Sequence, residues 1–477
     1  MINRIDRIIY KIPDSYGKDD FMIFSPIIDK KSNTAVYIQL YEYIKSEITT
    51  GLLKPNSKLP SIREASSSLK LSKTTIENAY SQLVAEGYID NLPKKGYFVC
   101  NLSDYSFEKK TDHNSGSIIQ APESHYINDG VDNSSFDITN WKRIYNKVIS
   151  DYDTGIYNNG SIQGERILRE EIANFVNTMR GGNASPEQVI VGAGVQYLLG
   201  ILIGIIKGNY DTVAVETPGY KKAEFIFEDY RFDIKHIAVS DNGFPVASLK
   251  ESDAKLLYIS PSHQYPLGTI MPVNKRMELL DWAYRNKGLI IEDDYDAIIR
   301  YGGMPIPCLQ GLDKNGCVIY LGSFSKMLLP SLRISYMVIP KKLLGEYYDI
   351  KTRYTQSTSK IDQLVLASFM KEGYMAKHIR KIKRIYRRKN LLLTNSILNS
   401  FKDKIEIITS DSGLHIVCEV DTLKTKEQIE ADSVKNNLLL NIVSSSRNKI
   451  IFSLNYSGID IDRVSEFTDV LGKVLFE

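Results

Sequence analysis

The chain has 477 residues, 43% of them hydrophobic and 25% charged, and a formal net charge of +3. That length suggests two or three domains, each able to bury a core, and the composition is that of an ordinary soluble protein. So small a charge is no argument for nucleic acid by itself, and any basic surface has to be local.

The four cysteines, Cys100, Cys308, Cys317 and Cys418, are scattered without a Cys-x-x-Cys pair. This fits a reducing cytoplasm and argues against a disulfide scaffold or a zinc site, so no metal is implied. The most apolar run, Tyr197 to Ile206, falls well short of the roughly 20 residues that span a bilayer. It reads as a buried helix. The N-terminus shows charges where a secretion signal would have an apolar core, so a cytoplasmic protein without membrane contact is expected.

Residues 1–33 mix Lys, Asp, Ile and Pro without periodicity and are assigned only as an N-terminal arm. From Val36 to Ile48, apolar residues at Val36, Leu40, Ile44 and Ile48 predict an amphipathic helix closing near Gly51. Ser61 and Glu64 have the spacing of a capping box, predicting a second helix from there to about Lys70. Ser72 can cap a third after a very short link, with Ile76, Tyr80, Leu83 and Val84 as its buried face. Two helices joined so tightly make a helix-turn-helix, and Gly87 to Val99 reads as strand, turn and strand, a wing whose turn holds Pro93, Lys94, Lys95 and Gly96. The start of the recognition helix meets base edges and backbone in the major groove, which points Ser72, Lys73, Thr74 and Thr75 at DNA. Ser61, Arg63, Lys95 and Gly96 flank that surface, with Arg63 and Lys95 as phosphate contacts. The domain is placed at 34–100. The pattern, including Ala79-Tyr80 and Ala85-Glu-Gly87, resembles the GntR-type winged helix.

Residues 101–125 are rich in Ser, Asn, Asp and Lys and read as a linker. From 126 to 477 helical and strand patterns alternate, predicting an α/β domain with a mainly parallel sheet. Val189 to Gln196 is strand, glycine turn and helix start, so the free N–H groups at Gly194, Val195 and Gln196 form an anion site. Ile290 to Asp296 is an apolar strand ending in carboxylates and a tyrosine. Val318 to Leu321 is a short buried strand leading into Gly322 to Ser325, which sets Lys326 at the mouth of a loop. Such a lysine can form a Schiff base, while Ser323, Ser325 and Arg333 supply hydroxyls and a forked cation for a phosphate. Lysine, phosphate cradle and upstream carboxylate together suggest pyridoxal 5′-phosphate, whose ring nitrogen needs a carboxylate.

Three stretches in order, Ser260-Pro-Ser-His-Gln-Tyr-Pro-Leu-Gly268, Glu292-Asp-Asp-Tyr-Asp296 and Gly322-Ser-Phe-Ser-Lys326, resemble the MocR/GabR group of bacterial regulators, fold type I aminotransferases fused to a DNA-binding domain. The resemblance runs from about Ala35 to the C-terminus, and Gly160 to Gly164 with Leu168-Arg169 resemble the early substrate-side loop and helix. It implies that Lys326 carries the cofactor, that Asp293 bonds the pyridine nitrogen and that Tyr295 donates to the phenolic oxygen. Asp294 and Asp296 are also candidates for that carboxylate, but alternation along the strand gives Asp293, unlike the adjacent Asp294, the parity of Tyr295. It also implies that Tyr220 stacks on the ring, the alternative being a core tyrosine.

Two departures stand out. Tyr265 occupies the place of the asparagine that usually tunes the phenolic oxygen; His263 and Gln264 are its candidate substitutes, the alternative for His263 being a structural histidine. The C-terminal arginine that grips an amino acid's carboxylate has Arg447 as its candidate, the alternative being a surface turn residue. Lys221 and Lys222 stand where GABA-responsive relatives have an arginine. The resulting expectation is a homodimeric regulator that binds a double-stranded operator and responds to pyridoxal phosphate, controlling vitamin B6 synthesis. Alternatives are control of an amino-acid pathway through an amino-acid adduct of the cofactor, and an active aminotransferase with an accessory DNA-binding domain.

Overall fold

The computed structural model describes residues 26, 28, 29, 32, 34–101 and 131–477, apart from 133, 152–154, 240–242, 303–305, 410–411, 439 and 447. The N-terminal arm, most of the linker and Arg447 therefore lie outside the described residues. The chain divides into two compact units, 1–118 and 119–477.

In the first unit three helices, α1 (Val36–Thr49), α2 (Ile62–Leu69) and α3 (Lys73–Ala85), precede a hairpin of β1 (Ile89–Leu92) and β2 (Gly96–Val99). The capping box at Ser61 is complete: its hydroxyl accepts from the Glu64 N–H at 3.3 Å and the Glu64 carboxylate accepts from the Ser61 N–H at 2.8 Å. Ser72 caps α3 by accepting from the Thr75 N–H at 3.1 Å. Leu40 and Ile44 from α1, Ile76, Ala79, Tyr80 and Leu83 from α3, and Ile89 and Val99 from the hairpin close one core. Val84 was expected on that face but is 36% exposed, and Ala79 is buried instead. Positions 76, 79, 80 and 83 follow the helical repeat more tightly, and 84 falls past its edge.

The second unit is built on a seven-stranded sheet ordered β3-β9-β8-β7-β6-β4-β5. Its strands are β3 (Val189–Gly192), β4 (Thr212–Thr217), β5 (Asp233–Ala238), β6 (Leu256–Ile259), β7 (Leu289–Asp294), β8 (Val318–Ser323) and β9 (Ser335–Val338). All neighbours run parallel except β9, which is antiparallel to both β3 and β8. Buried apolar residues line both sheet faces, as a sheet covered by helices requires. The apolar run near Tyr197 is the helix Val195–Ile206, packed against that sheet. Among the described residues no helix is long and apolar enough to cross a membrane.

A four-stranded antiparallel sheet follows, ordered β10-β11-β13-β12, from β10 (Ile405–Thr409), β11 (His415–Asp421), β12 (Asn441–Ser446) and β13 (Lys449–Asn455). The long helix Tyr374–Phe401 leads into it. Parallel strands deliver their C-terminal ends, and the loops after them, to one edge of the large sheet, where α/β proteins place their ligand sites.

Candidate functional site

In the first unit, the exposed residues at the start of α3 are Lys73 and Thr74, with Thr75 half-buried and its hydroxyl 2.7 Å from that of Ser72. The wing turn puts Lys94 at φ +62° and Gly96 at φ +105°, left-handed conformations that close the hairpin tightly and leave Lys95 exposed. Arg63, Lys73 and Lys95 make no ion pair among the described residues. Their charge is available to a phosphate.

In the second unit, β7 sends adjacent carboxylates to opposite sides. Asp294 Oδ2 accepts from Arg180 Nε and from the Tyr320 hydroxyl, both at 2.6 Å, in a buried network. Asp293 turns the other way and accepts from the Tyr258 hydroxyl on β6 through Oδ2. Its Oδ1 is buried with no hydrogen-bond partner. Burial pushes the Asp293 carboxyl up to about 7, against the opposing effect of the Tyr258 hydrogen bond. A buried oxygen left without a donor is costly, so this one is shaped for a group the protein itself does not supply.

After β7 the chain presents Tyr295 and Asp296. Asp296 Oδ1 lies 2.6 Å from His263 Nδ1, with both side chains almost fully buried, and the Tyr295 hydroxyl lies 3.1 Å from the same nitrogen. One ring nitrogen cannot donate to a carboxylate and accept from a phenol at once. The shorter, charge-assisted contact assigns the proton to Nδ1, which leaves the Tyr295 hydroxyl its own proton to donate elsewhere. The Tyr295 and His263 rings are stacked with centroids 5.7 Å apart. His415 is the third member of this group; its Nε2 donates to the Pro266 carbonyl at 3.0 Å, and burial first, then the neighbouring His263, lowers its basicity to about 4. The charge of Lys326 is the smallest of the causes that lower it. The donor atoms of His263, Asp296 and His415 lie within 4.8 Å of one another, a metal-ligand composition in which His263 Nδ1 pairs with Asp296 Oδ1 and His415 Nε2 with the Pro266 carbonyl. Gly413 is wedged against them: a Cβ there would stand 2.1 Å from His263 Cε1 and 2.6 Å from Asp296 Oδ2. The Gly413 carbonyl accepts from the Tyr301 and Tyr456 hydroxyls at 2.5 and 2.9 Å.

The anion cradle is assembled from distant segments. The helix Val195–Ile206 has no side-chain cap, so the N–H groups of its first turn are open. Arg333 reaches that turn, donating from Nη2 to the Ala193 carbonyl at 3.4 Å. A Cβ on Gly194, which sits at φ +103°, would be 2.6 Å from that Nη2, so only glycine allows the approach. Arg333 itself adopts φ +51°, an unusual backbone state for a residue with a Cβ, at the end of the turn Pro330–Leu332. Ser323 organises the loop before Lys326, its hydroxyl accepting from the Ser325 N–H at 3.2 Å and lying 2.9 Å from that of Ser335. Gln196 donates to the Lys222 carbonyl at 3.3 Å. Tyr220, at the start of the helix Lys221–Asp229, stands edge-on to Tyr265, which is in turn edge-on to Tyr295 and His415.

Tyr258 and His415 were not singled out from sequence; Asp296 was, as a candidate carboxylate for the ring nitrogen, and here it pairs with His263 instead. Tyr258 did carry a signal, a polar-tipped residue in an otherwise apolar strand two residues before the Ser260 motif; His415 carried none.

Residues 130–443 match the family of aminotransferases class I and II, and residues 36–99 match the bacterial regulatory proteins of the gntR family. An uncharacterized HTH-type transcriptional regulator of Bacillus subtilis, YdeL, is 40% identical over 84% of this chain and 87% of its own. The pyridoxine biosynthesis transcriptional regulator PdxR of Corynebacterium glutamicum is 29% identical over 81% of this chain and 84% of its own. The probable rhizopine catabolism regulatory protein MocR of Rhizobium meliloti is likewise 29% identical, over 82% and 83%. Among solved structures, the kynurenine aminotransferase of Pyrococcus horikoshii superposes with a TM-score of 0.63 at 24% identity, covering 72% of this chain and 88% of the other.

Proposed function

Because this chain belongs to the MocR family of transcription regulators, a gntR-type DNA-binding domain followed by an aminotransferase class I and II domain that binds pyridoxal phosphate, we propose that it is a regulator whose hold on a DNA operator is set by the cofactor itself and which controls vitamin B6 synthesis. The observation that carries the ligand reading is the unpartnered Asp293 Oδ1. A protonated pyridine nitrogen is the donor it lacks, and that nitrogen's positive charge would return the carboxyl to its ionised form. The link to vitamin B6 draws on the similarity to PdxR.

Pyridoxal phosphate, when bound, supplies an electrophilic aldehyde carbon and an electron-accepting ring. Lys326 provides the amine that attaches it, and Arg333 with the open N–H groups of Val195 and Gln196 neutralises the phosphate. Tyr295, whose hydroxyl proton His263 does not take up, would be the donor to the cofactor's ring oxygen, and Tyr220 would be the aromatic side chain that holds its ring. His263 and Asp296 hold Tyr295 in place where an asparagine would otherwise serve. A carboxylate clamp for an amino acid is assigned only to Arg447, so the domain is read as an effector sensor. The effector shifts DNA occupancy only if it binds two arrangements of a homodimer unequally.

The test pairs two measurements. Titrating pyridoxal phosphate into apoprotein should change operator retention in a gel shift, and borohydride should fix the cofactor's mass on the wild-type chain while leaving Lys326→Ala unmodified. Sustained turnover of any amino-acid and keto-acid pair would make the enzyme reading primary. DNA affinity indifferent to the cofactor but responsive to one amino acid would move the effector to that amino acid.

A further inference from the structure

The second unit has another concavity, of about 480 Å³, whose lining includes five cations, Arg300, Lys383, Arg384, Arg387 and Arg388, and none of the residues assigned above to the cofactor. Four of them come from two successive turns of the helix Tyr374–Phe401, where positions 383 and 387 and positions 384 and 388 are neighbours on one face. Like charges so placed repel unless something neutralises them. Among the described residues, Arg384, Arg387 and Arg388 pair with no carboxylate, although elsewhere on the surface comparable arginines do, as Arg166 with Glu170 and Arg285 with Asp281. On the buried side of the same helix, Lys389 is matched by Asp132 and the Ser457 carbonyl. The helix therefore neutralises its inner cation and leaves its outer ones open. Lys383 is held less basic than an ordinary lysine by burial and, second, by the charge of Arg180.

The walls narrow the chemistry further. Tyr301 is fixed by its hydroxyl contacts to the Gly413 carbonyl and Tyr456, so that wall is rigid. Leu391 and Leu392, also lining it, are 53% and 38% exposed. Guanidinium forks match phosphate oxygens, and apolar walls favour an organic group attached to them over a bare inorganic ion.

We propose that this concavity is a phosphate-ester site on the aminotransferase-like unit, separate from the cofactor pocket. The ester is either part of a DNA backbone or a free phosphorylated small molecule, and one pair of experiments distinguishes the sources. Holoprotein, with its cofactor phosphate cradle filled, is compared with R387E/R388E and with the control K341E/K342E, which changes charge equally at exposed lysines outside the concavity. Anisotropy with a fluorescent duplex of unrelated sequence is recorded across salt, and calorimetry with adenosine 5′-monophosphate probes the free ester. If the backbone is the ligand, R387E/R388E flattens the log affinity against log salt slope by about 1.8, two contacts at about 0.9 each, and the control does not. If a small ester is the ligand, the nucleotide's affinity falls at least tenfold while the DNA slope stays unchanged. Circular dichroism and the neutral R387Q/R388Q separate charge from misfolding. Unchanged binding of both probes in a folded variant, or an equal slope change in the control, overturns the proposal.

Discussion

Asp293 is the residue on which the pocket's energetics turn. A carboxyl raised by burial to about 7 in the folded chain, from an ordinary value near 3.8, binds more protons folded than unfolded between those limits. Its effect on apoprotein stability is thus complete below the unfolded value and is lost as pH rises through the folded one. Asp293→Asn, neutral at every pH, should flatten that part of the urea-unfolding profile while weakening cofactor binding at least tenfold. A profile identical to wild type would show that Asp293 does not titrate in the window. Tyr258→Phe removes the donor to Oδ2 and should cost about 1–3 kcal/mol, more at pH 8 than at pH 6, because an ionised buried oxygen then has no partner. Equal costs at both pH values would mean that the hydroxyl contributes only packing. Strand parity is what links Asp293 with Tyr295 in the sequence, whereas the tie from Asp296 to His263 spans 33 residues and that from His415 to Pro266 spans 149. Contacts of that separation exist only once the sheet has formed, so no local pattern announces them.

Helix ends were the most legible elements, since a cap is a local hydrogen bond between residues three apart. Ser61→Ala and Ser72→Ala should each cost about 1 kcal/mol in the unfolding of the first unit, and a loss near zero at Ser61 would mean that Glu64 holds the turn alone. At the wing and recognition helix, Lys73→Ala and Lys95→Ala should weaken DNA binding without regard to sequence and each flatten the salt slope by about 0.9. A loss confined to one operator sequence would instead make either lysine a base contact. The parallel run of strands was legible from apolar stretches alternating with helical periods. The reversal of β9 was not, because a strand buried on both faces reads the same in either direction.

For the whole molecule, the first unit has a core of its own, closed by α1, α3 and the wing. Residues 34–100 should therefore fold alone and bind DNA weakly, with affinity falling as salt rises. Under the homodimer reading the full chain binds an operator with two half-sites far more tightly, because the second site is engaged at high effective concentration. Equal affinity of fragment and full chain, by anisotropy at one salt concentration, would remove the dimer from the account. Gly413 gives the second unit a further property. It stands just before β11, presses on His263 and Asp296 where no side chain would fit, and through its carbonyl anchors Tyr301 beside the basic concavity and Tyr456 after β13. The C-terminal sheet, His263 and a wall of the basic concavity thus meet at one residue, as a lever and its load meet at one pin.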